Sequence, residues 1–148
     1  RCHLRIIGQP TEPQINFLNE HGVDFSHAKN LTEAELYDAY CKSDIVSFVS
    51  TLEGFGMPII EAQSVERVVV TSNLSSMPEV AGEGAIFVDP FEVESIRNGF
   101  LTAINDESKR VEAIGAGRLN RERFEITKIA KQYVELYQQC LAANKNHS

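Results

Sequence analysis

The chain is poor in the features that mark several large classes of protein. Its 148 residues include no tryptophan and only three cysteines, Cys2, Cys41 and Cys140. They lie far apart and form no Cys-x-x-Cys pair. This argues against a zinc cluster or a disulfide framework and for a reducing compartment. They read as small, partly buried thiols. No apolar run approaches the ~20 residues that a helix needs to cross a bilayer. The opening Arg1-Cys2-His3-Leu4-Arg5 lacks the pattern of a signal peptide. Basic residues are scarce: 14 Lys plus Arg stand against 21 Asp plus Glu, for a formal charge of −7. A field of that sign repels phosphate backbones and anionic lipid, so no nucleic-acid partner is expected. There are no internal repeats and no low-complexity linkers.

What remains has the composition of one globular domain. Apolar residues make up 43% and charged residues 24%, and the length suffices for a core without disulfides or metals. Apolar runs alternate with helical patterns, the mark of βαβ units and a parallel sheet. Strands are expected at Leu4–Gly8, Val23–Ser26, Asp44–Ser50, Val68–Ser72 and Ala85–Asp89. The first reads as a buried parallel strand. The chain opens almost directly on it, as a fragment of a longer protein would. A helix over Pro13–His21 is closed by Gly22 as its C-terminal cap. Thr32 and Glu35 form a capping box for a helix to about Lys42, with Leu36, Ala39 and Tyr40 on its apolar face. Pro58 suits the first turn of a helix. A short helix follows near Ser76–Ala81. From Glu92 onward only helices are expected, over Glu92–Asn105, Glu107–Asn120 and about Thr127–Ala142. The polar tail from Asn144 should fray.

The strongest local feature is Glu53-Gly54-Phe55-Gly56-Met57-Pro58-Ile59-Ile60-Glu61. It follows a strand and opens a helix, the place where open parallel sheets bind ligands. Glycines let a ligand approach the backbone closely. The free N–H groups of the helix start, about Met57 to Ile60, offer a phosphate site made of backbone. Two carboxylates frame the loop, and a carboxylate accepts hydrogen bonds from hydroxyl groups. Phosphate between two hydroxyl readers describes a nucleotide sugar. The residues alone leave a second reading open, in which Glu61 complements the helix dipole and Glu53 is a solvated loop residue.

These residues resemble the E-x7-E signature of family 4 (group 1) retaining glycosyltransferases, written E-G-F-G-x-P-x-x-E-A. The resemblance extends to Asp44–Ser50, to Val69-Val70-Thr71-Ser72 with Ser76-Met77-Pro78-Glu79-Val80 and Gly82, to Gly84–Pro90, and to Phe124 with the helix over Lys128–Tyr137. It implies an α/β, Rossmann-like, three-layer αβα fold that is half of a glycosyltransferase B-type fold. The chain would be a single partial domain, with residues 1–91 as the nucleotide-sugar-binding core and 92–148 as C-terminal helices. A five-stranded parallel sheet in the order 2-1-3-4-5 is expected. By resemblance, Glu53 is the catalytic residue at the sugar hydroxyls. Gly54, Phe55, Gly56, Met57 and Pro58 line the donor, and Glu61 holds the ribose. His27, Ala28 and Lys29 border the nucleobase. The donor would be a UDP-, GDP- or ADP-sugar, with no cofactor and no metal. The family's chemistry is understood as metal-independent front-face substitution.

The resemblance also implies a partner, an N-terminal acceptor-binding half outside this chain. An upstream strand and helix carrying the family's basic pair are outside it as well. The isolated chain is therefore expected to lack transferase activity. The closing helix would expose Tyr133, Val134 and Tyr137, with self-association as one consequence. The family's Gly and Pro before the fourth strand are replaced by Glu66 and Val68, which should alter that turn and spare the site. His3, His21, His27 and His147 lack metal-ligand spacing and suit surface or capping roles. Lys109-Arg110, Arg118 and Arg121-Glu122-Arg123 read as solvated helix faces. Gly115 and Gly117 mark a close helix contact or a break. Polysaccharide assembly in the cytoplasm, at the inner membrane face, is the setting the resemblance suggests. A non-catalytic nucleotide-binding or interaction module of the same fold is the alternative, because fold does not fix function. A sugar-phosphate synthase of the same superfamily also remains open. A receiver domain is excluded, because the first strand ends Gly8-Gln9-Pro10 and the third ends Ser50-Thr51, without the acidic residues that fold needs.

Overall fold

A computed structural model describes residues 2–145; of the tail expected to fray from Asn144, Asn144 and Lys145 are helical, and the rest, with His147, falls outside the described residues. The chain forms two compact units, divided between Ala39 and Tyr40.

The first unit holds β1 (Leu4–Ile7), α1 (Glu12–Glu20), β2 (Phe25–Ala28) and most of α2 (Glu33–Lys42). β1 and β2 pair in parallel, with Leu4 opposite Phe25 and Ile7 opposite Ala28. Gly22, at φ +62°, ends α1 as the sequence indicates. Its N–H donates to Asn19 O, and the next N–H, on Val23, donates to Leu18 O. This pair of bonds is a Schellman motif. It also takes Val23 out of the strand, which is why β2 starts at Phe25. His21 caps the same helix, its Nδ1 lying 2.8 Å from Phe17 O. Thr32 and Glu35 form the expected box, the Thr32 N–H donating to Glu35 Oε2 at 2.8 Å. β1 is not the buried strand its sequence suggests, since Leu4 is 43% and Ile7 50% exposed. A unit that ends at Ala39 is too short to cover both faces of its own sheet.

The second unit is a three-layer αβα structure. β3 (Ile45–Phe48), β4 (Val68–Ser72) and β5 (Ile86–Val88) form a parallel sheet in that order. The single five-stranded sheet is not formed: among the described residues β1 bonds only to β2, and β3 only to β4. β4 is buried at all five residues, which explains its unbroken Val68-Val69-Val70 run. One face, with Val69, packs against Ile59 and Ala62 of α3 (Met57–Ser64) and Met77, Val80 and Ala81 of α4 (Met77–Ala81). The other, with Val68 and Val70, packs against Ala103 of α5 (Val93–Asn105) and Ala113 of α6 (Glu107–Asn120). A 3₁₀ turn over Arg121–Phe124, not foreseen, leads into α7 (Ile126–Lys145).

Glycines set the helix spacing. A Cβ on Gly99 would lie 2.4 Å from Val88 Cγ1, and one on Gly84 2.4 Å from Gly117 Cα. Gly117 therefore marks a close contact, whereas Gly115 faces open space. Glu66 stands at φ +57°, in the left-handed conformation that a glycine adopts without strain. Its N–H donates to Gln63 O and that of Arg67 to Ala62 O. The turn is thus hydrogen-bonded with a glutamate bearing its strain. Several basic residues do more than solvate helix faces. Arg110 Nη1 caps α5 at Ala103 O, 2.8 Å away, and Arg121 Nη1 caps α3 at Ser64 O, 3.0 Å away. Cys2 and Cys140 are exposed, and Cys41 alone is partly covered.

The glycine and turn geometry can be tested by stability measurements. Gly84→Ala should lower stability in urea titration by about 1–3 kcal/mol through overpacking, while Gly115→Ala should raise it by about 0.5–1 kcal/mol through helix propensity. Glu66→Gly should raise the melting temperature. Relief of a left-handed residue, about 1–2 kcal/mol, exceeds the backbone entropy that glycine loses, about 0.5–1 kcal/mol.

Candidate functional site

The Glu53–Glu61 segment lies entirely in the second unit, at the carboxyl edge of its sheet. β3 ends at Phe48, the loop runs to Gly56, and α3 begins at Met57. Gly56 is the N-cap at φ +113°, ψ +50°. A Cβ there would crowd Ile59 Cδ1 at 3.2 Å, so both conformation and space favour glycine. Pro58 stands in the first turn, as read from the sequence. The backbone donor set is narrower than expected. Pro58 has no N–H, and that of Ile59 already donates to Gly56 O at 3.0 Å. A ligand at this end meets Met57 and the loop amides before it, not the full run from Met57 to Ile60.

The loop is held by hydroxyls from the β4–α4 connection, which reaches the same edge because the strands are parallel. Ser75 Oγ donates to Glu53 O at 2.9 Å and accepts from Glu53 N–H at 3.3 Å. Ser76 Oγ lies 2.9 Å from Glu53 O and 2.7 Å from Phe55 O, so its one proton is shared between two carbonyls. Ser75 adopts φ +57° to reach this position. Thr71 Oγ1 donates to Phe48 O at 2.7 Å, fixing where β3 ends. Phe55 meets Phe124 edge to face, with centroids 5.6 Å apart. The Glu53 backbone is thus fixed, and its half-buried side chain has no hydrogen-bond partner among the described residues.

Glu61 is the fifth residue of α3 and is half-buried. Tyr40 Oη donates to Glu61 Oε2 at 2.6 Å. Burial, and then the Glu61 carboxylate itself, push the Tyr40 phenol well above its ordinary pKa, so it stays a neutral donor. His27 and Ala28 close β2 in the first unit, with Lys29 following; His27 and Lys29 are exposed. Among the described residues, no three His, Cys, Asp or Glu groups cluster as metal ligands would. No helix among them is long and apolar enough to cross a membrane.

Three supports of the loop and of Glu61 leave little or no signal in the sequence. The periodicity places Tyr40 only on an apolar face, although a buried tyrosine hydroxyl needs a partner, and that requirement is the available signal. Ser75 carried no signal beyond standing next to a helix start. The contact of Phe55 with Phe124 joins residues far apart in the chain and had none.

A parallel αβα unit with a carboxylate-flanked, glycine-capped loop at its carboxyl edge defines a Rossmann-like domain, of the kind that takes ligands at that edge. Residues 1–120 match the model of "Glycosyl transferases group 1", and the chain belongs to that family. Over 98 residues it is 34% identical to an O-antigen chain mannosyltransferase B of Escherichia coli, spanning 66% of this chain and 26% of that protein. Its fold is shared with a sucrose-phosphate synthase from Thermosynechococcus elongatus (TM-score 0.80, 19% identity, 95% of this chain and 39% of the other). It is also shared with Anabaena HepE in complex with UDP and glucose (TM-score 0.74, 20% identity, 91% and 40%). The chain therefore spans about a quarter of the length of that mannosyltransferase.

The serine clamp is open to direct test. Ser75→Ala should speed amide exchange at Glu53 selectively, leaving the amides of β4 as protected as before. Hydrogen exchange by NMR checks this, and unchanged exchange at Glu53 would contradict the clamp.

Proposed function

We propose that the chain is the donor-binding part of a retaining hexosyltransferase, which moves a hexose from a nucleoside diphosphate sugar to a hydroxyl acceptor. The observation that carries this reading is the β3–loop–α3 unit, in which Glu53 and Glu61 flank a backbone loop at the sheet's carboxyl edge. Family membership supports it. So does the fold shared with a protein solved with UDP and glucose.

In this reading Glu53 is the catalytic residue and accepts hydrogen bonds from hydroxyls of the transferred sugar. The backbone of Gly54, Phe55, Gly56 and Met57 runs along the sugar and the diphosphate, with Pro58 fixing the helix start. As the bond between anomeric carbon and diphosphate oxygen breaks, negative charge grows on the departing group. The start of α3 carries roughly half a positive charge, fixed in place before the reaction begins. Glu61 accepts from the ribose hydroxyls. The acceptor is supplied by the other half of the longer enzyme, and the 148 residues alone should show no turnover.

Calorimetric titration of the chain with UDP, GDP and ADP tests the donor site. One diphosphate should bind, and Glu61→Ala should weaken it about tenfold or more, the share of hydrogen bonds to a charged acceptor. Binding that Glu61→Ala leaves intact would reassign the ribose contact. Failure of all three diphosphates to bind would overturn the donor-site reading. Transferase turnover by this chain alone would show that the acceptor half is dispensable.

A further inference from the structure

We propose that Tyr40 is the positioning residue for the ribose-reading carboxylate: its phenol holds Glu61 so that ribose recognition depends on a side chain the ligand need not touch. The inference rests on the reading of Glu61 given above.

The contact joins two well-anchored ends. The Tyr40 ring packs against the cluster of Ile59, Ala62 and Val69, so only its tip is polar. One residue further on, Arg67 Nη2 donates to Cys41 O at 2.6 Å, tying down the last turn of α2. The 2.6 Å separation from Tyr40 Oη to Glu61 Oε2 lies in the range of a hydroxyl bonded to an ionised carboxylate. A glutamate left free on a helix would occupy several rotamers, and freezing them on binding costs affinity. The phenol removes that freedom before any ligand arrives. It also distinguishes the two carboxylate oxygens: Oε2 accepts from Tyr40 and keeps one further acceptor site, while Oε1 keeps its full acceptor capacity. The two hydroxyls of a ribose are fixed relative to each other, so their acceptor must be fixed too.

The experiment compares Tyr40→Phe with the wild-type chain and with Glu61→Ala. Each is titrated with UDP, GDP and ADP and with their 2′,3′-dideoxy counterparts. The readout is the ratio of ribo to dideoxy affinity. Phenylalanine keeps the packing and removes only the O–H. The wild-type chain should prefer a ribonucleotide, Tyr40→Phe should reduce that preference about five- to tenfold, and dideoxy affinity should stay unchanged. Adding Tyr40→Phe to Glu61→Ala should reduce the ratio no further. If Tyr40 serves packing alone, both ligands weaken together and the ratio holds, which overturns the proposal while leaving the Glu61 reading intact. If the wild-type chain shows no ribose preference, or binds none of the nucleotides, the Glu61 reading fails and this proposal with it.

Discussion

The geometry of the second unit depends on a buried amide pair. Gln63, 1% exposed on α3, donates both Nε2 protons, to Ala81 O at 2.9 Å and to Gly84 O at 3.1 Å. Its Oε1 accepts from Asn120 Nδ2, which also donates to Val80 O. Asn120 Oδ1 in turn accepts from Arg123. Every donor of the two amides is used, and a buried polar network is stabilising only when it is satisfied in this way. The pair fixes α3 against the end of α4 and against α6. The arrangement requires backbones to approach closely, which explains glycine at positions 84 and 117. An apolar pair would fill the same space without specifying this geometry.

From that pair the constraint runs outward to the loop. α3 carries Glu61, and its first residue follows the Gly56 cap. α4 begins at Met77, directly after Ser76, whose hydroxyl meets the carbonyls of Glu53 and Phe55. Asn120 ends α6, and the 3₁₀ turn over Arg121–Phe124 starts directly after it. That tight turn keeps Phe124 close enough to the network to face Phe55. Carboxylates, loop carbonyls and supporting ring are thus all placed by elements that converge on one buried contact.

Much of this was legible in the chain, and where it was not the reason is physical. The run Val68–Ser72 identified a strand, and the structure covers it on both faces. Gly22, and Thr32 with Glu35, marked helix ends. The loop from Glu53 to Glu61 lies between a strand and a helix, as its glycines and Pro58 indicated. The extent of the sheet was not legible: β1 reads as a buried strand, yet it is largely exposed and, among the described residues, pairs with β2 alone. An apolar strand can be covered or bare, and composition cannot say which. The stripe on α7 was legible, since Tyr133, Val134 and Tyr137 are each more than half exposed.

What the sequence determined by itself is local: strand and helix identity, the caps, and the carboxylate-flanked loop. Each depends on residues a few positions apart, where spacing translates directly into geometry. Only the tertiary structure decided which side chains hold that loop. Tyr40 reaches Glu61 across 21 positions, Ser76 reaches Glu53 across 23, and Asn120 reaches Gln63 across 57. Contacts at such separations leave no periodic trace in the chain. They arise because a parallel sheet gathers the ends of successive strands at one edge, and a packed core admits few ways to fill the space behind it.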